Sequence, residues 1–158
     1  MVREIARSLC EPSSFDDVYR RESAPMVRLA FLMVDSETQA EEVVHDAFAA
    51  LYERWARVDN PGAYLRTCVV NRCRDVHRRR ALERRWRQGV TNEHIELGAD
   101  HLLDALATLP PKRRAALVLR YYDDCTVAEI AEVLGVRPGT VKSMLHRGLA
   151  QLREVIER

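Results

Sequence analysis

Apolar residues recur every three or four positions along most of this chain, and the strict alternation that marks a half-buried strand is scarce. Such spacing gives each segment one apolar face at the period of an α-helix. The pattern therefore predicts an all-α protein. With 158 residues, 47% of them hydrophobic, the chain can form one medium domain or two small ones.

The clearest local pattern lies between residues 126 and 148, where it predicts two short helices joined by a tight turn. Thr126 and Glu129 form a T-x-x-E capping box at the start of the first helix. Gly135 stands where the apolar pattern stops and a helix often needs positive φ, and Pro138 suits the first turn of a second helix. This arrangement predicts a helix–turn–helix, whose second helix enters the major groove of DNA.

The polar face of that second helix carries side chains that reach phosphates and base edges. We predict that it binds DNA through Arg137, Thr140, Lys142, Ser143, His146 and Arg147. The alternative is an ordinary helical hairpin with a solvated face. The capping box, the glycine at the turn and the proline at the helix entry together favour DNA binding.

The amino-terminal part predicts a helix that starts near Ser13 or Ser14. Pro25 interrupts the pattern and is expected to begin a second helical piece. Ser36 and Gln39 form another capping-box pattern, which predicts the start of the next helix. At each of these serine caps, the side-chain oxygen would accept a hydrogen bond from a backbone N–H that has no partner inside the helix.

The helix that starts after Ser36 is acidic on much of its exposed side and carries aromatic side chains beside its apolar stripe. The residues concerned are Glu41, Glu42, Asp46, Phe48 and Tyr52. Taken alone, they fit either a well-packed surface helix or a face that docks a basic protein partner. On a docking face, aromatic residues contribute binding energy and carboxylates meet cations.

Charge is segregated along the chain although the net charge is only +1. Residues 1–60 hold seven basic and twelve acidic side chains, whereas residues 61–87 hold nine arginines and two acids. This second stretch predicts a long helix after a turn at 58–62, with an exposed side that includes Arg66, Asn71, Arg74, Arg78 and Arg79. Because a solvated helix usually mixes its charges, we predict that this helix binds phosphates.

The chain divides into two predicted domains. Residues 88–100 have no sustained periodicity and are predicted to be a flexible linker, which leaves the relative placement of the domains open. A short tail at 1–13 and a helical domain at 14–87 precede this linker. A second helical domain at 101–158 follows it and ends with the helix–turn–helix.

A helix from about Pro111 to Asp123 is predicted to lead into the helix–turn–helix. Its spacing predicts a buried side made of Ala115, Leu117, Val118 and Tyr121. The same spacing predicts an exposed side made of Lys112, Arg113, Arg114 and Arg120.

Sites for cofactors, metals or catalysis are not expected. The four cysteines form no C-x-x-C pair, and Cys68, Cys73 and His77 lack the usual spacing of zinc ligands, so we expect buried thiols. There is no glycine-rich phosphate loop and no H-E-x-x-H motif. No apolar run could span a bilayer and no secretory signal opens the chain, so we expect a cytoplasmic protein without membrane insertion.

Taken together, the two halves resemble a bacterial sigma factor of the extracytoplasmic-function (ECF) class of the sigma-70 family, over about residues 14–158. The stretch LATLPPKRRAALVLRYYDDCTVAEIAEVLGVRPGTVKSMLHRGLAQL follows the pattern of sigma region 4. The stretch AEEVVHDAFAALYERW is similar to the region 2 helix that docks on the clamp helices of the RNA polymerase largest subunit. The stretch PGAYLRTCVVNRCRDVHR is similar to the helix that reads the −10 promoter element.

This resemblance implies a non-enzymatic factor that binds core RNA polymerase, through its clamp helices and flap, and promoter DNA. It implies that the acidic helix docks the polymerase and that the helix after Pro138 reads the −35 element. It also implies that the loop Ala56–Gly62, which contains Asn60, and the start of the arginine-rich helix, which contains Tyr64, capture a flipped-out base and aid promoter melting. An anti-sigma factor is the expected regulator.

Three residues depart from the family pattern. His45 stands where glutamine is usual, Tyr64 where tryptophan is common, and Met144 where the recognition helix often has arginine. The last departure removes one expected DNA contact. The alternative to a sigma factor is a stand-alone helix–turn–helix regulator with an amino-terminal bundle that binds a partner or ligand. The arginine-rich helix favours the sigma factor, because a ligand-sensing bundle does not need it.

Overall fold

The computed structural model describes residues 14–87 and 101–158, and these two ranges contain α-helices and one short 3-10 turn but no strand. The helices are α1 (Phe15–Val34), α2 (Glu37–Glu53), α3 (Pro61–Trp86), α4 (His101–Ala107), α5 (Pro111–Tyr121), α6 (Val127–Leu134) and α7 (Pro138–Ile156). The predicted all-α fold class is confirmed. The predicted tail at 1–13 and the predicted linker at 88–100 lie outside the described residues.

Helices α1, α2 and α3 pack against one another to form the amino-terminal bundle. Ser14 caps α1 in a reciprocal box with Asp17, which confirms the second of the two predicted caps. The predicted interruption at Pro25 is wrong, because α1 continues through it as one helix. Proline removes one N–H from the helix ladder, but Met26 and Leu29 bury their side chains just after it and hold the turn in place.

The carboxyl end of α1 is capped by side chains from distant helices. A helix leaves its last four carbonyls without partners inside the helix. Here the Asp35 N–H donates to the carbonyl of Phe31, and three side chains serve the other carbonyls. These pairs are Arg114 with Leu32 (2.5 Å), His77 with Met33 (2.7 Å) and Arg80 with Val34 (2.7 Å). Cationic donors at this position also complement the helix dipole.

The predicted capping box at the start of α2 forms only in part. The Ser36 hydroxyl accepts from the Gln39 N–H at 3.4 Å. The Gln39 side-chain oxygen accepts from the guanidinium of Arg80 instead of returning to the cap. Helix α2 ends at Glu53, and the 3-10 turn Trp55–Arg57 follows.

The carboxy-terminal helices form the predicted helix–turn–helix with its supporting helices. Thr126 and Glu129 make both hydrogen bonds of the capping box of α6, at 2.7 and 3.2 Å. Gly135 ends α6 with φ of 64°, a left-handed conformation that favours glycine. Helix α7 packs closely on α5 at Gly148, where an added Cβ would lie 2.8 Å from a methyl group of Leu117.

The two groups of helices share one apolar core. Helix α1 packs against α4 and α5, and α3 packs against α5 and α6. Two side chains of α5 were therefore placed wrongly from the sequence: Arg114 is buried with 4% of its surface exposed, and Tyr121 is 61% exposed. Because α5 is covered by α7 on one side and by α1 and α3 on the other, its buried surface is wider than one amphipathic stripe.

Candidate nucleic-acid interface

Helix α7 presents a continuous polar face at the surface. Val141 and Leu145 bury its inner side, with 0% and 9% of their surface exposed. The six predicted DNA-binding residues are all exposed: Arg137, Thr140, Lys142, Ser143, His146 and Arg147. Within the described part of the chain, their side chains make no ion pair and no hydrogen bond with another side chain, so their donors are available to a ligand.

A basic cleft continues this face onto α5. The cleft has a volume of about 220 Å³ and lies between the start of α5 and the first three turns of α7. Lys112 lines it together with Thr140, Ser143 and Arg147. From the sequence Lys112 could be placed on an exposed side but not beside α7, because its position depends on the packing of α5 against α7.

A second polar face runs along α3. Asn71, Arg74 and Arg78 follow one another at intervals of three and four residues, so they lie on one side of the helix. Tyr64 lies on the same side, two turns before Asn71. Asn71 and Arg78 are exposed, and Arg78 makes only a surface ion pair with Asp75 at 3.6 Å.

Other predicted contacts of this region have structural partners or a different orientation. Arg66 lies about 140° around α3 from Asn71, and its guanidinium donates to the carboxylate of Asp123. The amide oxygen of Asn60 caps α3 by accepting from the Ala63 N–H at 3.1 Å. Arg79 is exposed but stands one residue beyond the Asn71–Arg78 side of the helix.

An acidic groove of about 880 Å³ lies at the surface between α1 and α2. Of the residues predicted for protein docking, Glu41, Glu42 and Asp46 line this groove and are exposed. Phe48 lies in its floor, 4% exposed, with its ring 4.9 Å from that of Tyr19. Tyr52 is 69% exposed on the adjoining turn. The groove thus combines carboxylates with aromatic surface.

Cys73 and Cys125 are buried in the packed interior, whereas Cys68 and His77 are half-buried and Cys10 lies outside the described residues. Burial raises the pKa of Cys73 and of Cys125 to about 12, so both thiols stay protonated at neutral pH and are poor nucleophiles. The His77 ring is bonded to the carbonyl of Met33 at 2.7 Å. Among residues 14–87 and 101–158, no group of three His, Cys, Asp or Glu side chains is arranged to hold a metal ion. No helix in these ranges is long and apolar enough to cross a membrane.

Comparison with known proteins identifies both halves of the chain. The family model for sigma-70 region 2 matches residues 18–83, and the model for sigma-70 region 4 matches residues 100–152. The RNA polymerase sigma-E factor of Streptomyces coelicolor is 33% identical over 153 residues, which cover 91% of this chain and 86% of the relative. The chain belongs to the sigma-70 family.

Further similarities place this sigma factor in the ECF class. The ECF RNA polymerase sigma factor SigE of Mycolicibacterium smegmatis is 32% identical over 162 residues, which cover 92% of this chain and 62% of that protein. The sigma factor RpoE of Bartonella quintana, solved in complex with the anti-sigma factor NepR, matches with a TM-score of 0.73 and 21% identity. That match covers 89% of this chain and 97% of RpoE, and it establishes the shared fold. The protein is an ECF sigma factor that directs transcription initiation.

Proposed function

We propose that this sigma factor recruits core RNA polymerase to a subset of promoters through three surfaces. In this proposal residues 14–87 form the polymerase-docking and −10-reading domain, and residues 101–158 form the −35-reading domain. The observation that carries the proposal is the bare polar face of α7. Its cations and hydroxyls are exposed and make no ion pair or hydrogen bond with another side chain in the described part of the chain, which suits a helix that inserts into the major groove.

The acidic groove between α1 and α2 is the proposed docking site for the polymerase clamp helices. Glu41, Glu42 and Asp46 would meet basic side chains of the clamp, while the exposed ring of Tyr52 would supply apolar contact area and the buried Phe48 would support the groove floor. The polymerase flap is the proposed partner of the carboxy-terminal domain. We also propose that an anti-sigma factor regulates the protein, and the complex between RpoE and NepR supports this for a protein of the same fold.

Helix α3 is the proposed reader of the −10 element. Tyr64, Asn71, Arg74 and Arg78 share one side of the helix, which would let them follow the backbone and one extruded base of a single strand. Asn60 keeps a structural role as the cap of α3, so its contribution to base capture would be to fix the preceding loop. No side chain is proposed to act as a catalyst.

Run-off transcription tests the proposal directly. Core bacterial RNA polymerase is incubated with a library of candidate promoters, with and without this protein. Specific transcripts that appear only with the protein are the expected result. Absence of transcripts, together with binding of duplex DNA by the protein alone, would favour a stand-alone helix–turn–helix regulator instead.

A further inference from the structure

The last two turns of α3 project beyond the amino-terminal bundle. Every residue from 81 to 87 is exposed, whereas the buried side chains of α3 all lie between Leu65 and Cys73. The helix is intact at this end, since the Arg87 N–H donates to the carbonyl of Glu83 at 3.0 Å. Because no helix of the described chain covers these turns, packing inside the protein does not explain the apolar side chains on them.

Trp86 is the main apolar side chain of this projecting end. It is 86% exposed, a larger fraction than for any other large hydrophobic side chain in the described ranges, and Leu82 one turn earlier is 47% exposed. Trp86 also lies outside both parts of the chain that match the sigma-70 family models. Single exposed apolar residues are common on protein surfaces, so the surroundings of Trp86 must identify its ligand.

The side chains beside Trp86 are cationic. Residues 81–87 contain the three arginines Arg84, Arg85 and Arg87 and the single acid Glu83. Within the described residues these three guanidinium groups form no ion pair, so they are available to an anion. A ligand that complements this end must combine negative charge with a flat apolar surface. Single-stranded nucleic acid has both, since its phosphates bind cations and its unpaired bases stack on aromatic rings.

Trp86 also continues the face of α3 that contains Asn71. It follows Asn71 by fifteen positions, which places it about 60° around the helix and ~22 Å along the helix axis. The exposed Arg78 and Arg79 lie between them. At ~3.4 Å per nucleotide, a strand of about six or seven nucleotides spans this distance. One single strand can therefore contact both residues.

We propose that Trp86 is a stacking platform for an unpaired nucleobase and that Arg84, Arg85 and Arg87 hold the neighbouring phosphates. The ligand is a single strand rather than a duplex, because the faces of paired bases are covered by their neighbours in the stack. Assignment of this ligand to the melted −10 region rests on the proposed function. There the site stabilises the open promoter without adding sequence preference, since every base has a face that can stack.

The test measures binding of the full chain to a mixed-sequence DNA strand of about twelve nucleotides, which is long enough to span both residues. Fluorescence anisotropy gives the affinity for this strand and for its duplex. Trp86→Ala removes the ring, and Trp86→Phe keeps a smaller one. Tyr121→Ala is the matched control, because Tyr121 is an aromatic residue that is 61% exposed on α5. Trp55 is the other tryptophan of the chain, so the difference in emission between the wild type and Trp86→Phe isolates the signal of Trp86.

Trp86→Ala is expected to weaken binding of the single strand about tenfold relative to Tyr121→Ala, while affinity for the duplex changes by less than about twofold. Trp86→Phe should recover most of this loss, and the single strand should quench the emission of Trp86. The dependence of affinity on salt should be the same in Trp86→Ala as in the wild type, because no phosphate contact is removed.

Three results would overturn the proposal: no binding of the single strand by the wild type, equal single-strand affinities for Trp86→Ala and Tyr121→Ala, or equal losses for strand and duplex. The measurement needs no promoter, so it is independent of the run-off assay. A selective loss in Trp86→Ala without transcripts in that assay would support the stacking site and contradict the proposed function. Transcripts without a selective loss would support the proposed function and remove the stacking site.

Discussion

Helices α3 and α7 carry the two proposed DNA-binding faces, but they use their charges differently. On α7, Lys142 and Arg147 are exposed and make no ion pair in the described ranges. On α3, Arg80 caps α1 and Arg66 pairs with Asp123, so part of the positive charge is used inside the protein. The number of cations on a helix therefore overestimates the surface that it offers to DNA.

The difference arises from what each helix packs against. Helix α3 lies against the carboxyl end of α1, where carbonyls without helical partners attract cationic donors. Helix α7 lies on the side of α5 that contains Leu117. The two helices can approach each other closely there because Gly148 has no side chain, and no charged contact is needed. Consequently the polar side chains in the first half of α7 stay available to a ligand, whereas Gln151 further along bonds with Arg113 and with the carbonyl of Thr108.

The largest expected effect comes from removing cations of α7. Replacing both Lys142 and Arg147 with alanine should weaken binding to the −35 duplex tenfold or more, because each good contact to a base contributes about 1–3 kcal/mol. Affinity for core polymerase should be unchanged. Arg153→Ala is the control, since it removes a cation from the far end of the same helix. Electrophoretic mobility shifts and polymerase pull-down measure the two affinities, and a parallel loss of both would indicate unfolding rather than a lost DNA contact.

Adjacent arginines of α3 offer a direct comparison of the two uses of charge. Arg80→Ala should lower the free energy of unfolding by about 1–3 kcal/mol, because it leaves the carbonyl of Val34 without its donor. Arg79→Ala should change that free energy by less than about 0.5 kcal/mol, since Arg79 is exposed. Urea denaturation gives both values. Similar losses for the two variants would show that the division of roles along α3 is wrong.

Local signals in the sequence were sufficient for much of the fold. The cap at Ser14, the box of Thr126 and Glu129, the left-handed Gly135 and the entry at Pro138 all depend on residues within four positions of one another. Such interactions are fixed by helix geometry and can be read without knowing the partner helices. The helix–turn–helix and the polar side chains of its second helix were therefore predictable.

Features that depend on distant partners could not be predicted in this way. Arg114 can be buried because its Nε donates to the carbonyl of Leu32. This carbonyl is 82 residues away in sequence but 2.5 Å away in space. The Gln39 side chain leaves its capping box because Arg80 offers a charged donor. Arg66 was predicted to be exposed because the sequence does not show that Asp123 is its partner. In each case a charged side chain bonds to an acceptor that is distant in sequence, and hydrophobic periodicity does not reveal such a partner.

Substitution of Asn71 tests the side of α3 that is exposed to solvent. Asn71→Ala should reduce promoter opening about tenfold while initial binding changes by less than about twofold, since a base contact worth about 1–2 kcal/mol forms only with melted DNA. Permanganate reactivity of unpaired thymines measures opening, and mobility shifts measure binding. The exposed Glu83→Ala, further along the same helix, is the control. Normal opening by the Asn71 variant would remove this residue from the proposed −10 surface.

The smallest expected effect concerns pH and the interior side of α3. Burial lowers the pKa of His77 below its ordinary value of 6.5, and the charges of Arg114, Arg80 and Arg84 act in the same direction, while the Met33 carbonyl opposes them. As pH falls below about 6.5, the unfolded chain therefore binds a proton more readily than the folded chain, and stability is lost. The wild-type protein should lose up to about 1 kcal/mol more than His77→Gln between pH 7.5 and pH 5.5. Urea denaturation at the two pH values measures this difference. Equal losses would show that another group causes the pH dependence, and the interior of α3 would then be insensitive to the charge of this ring.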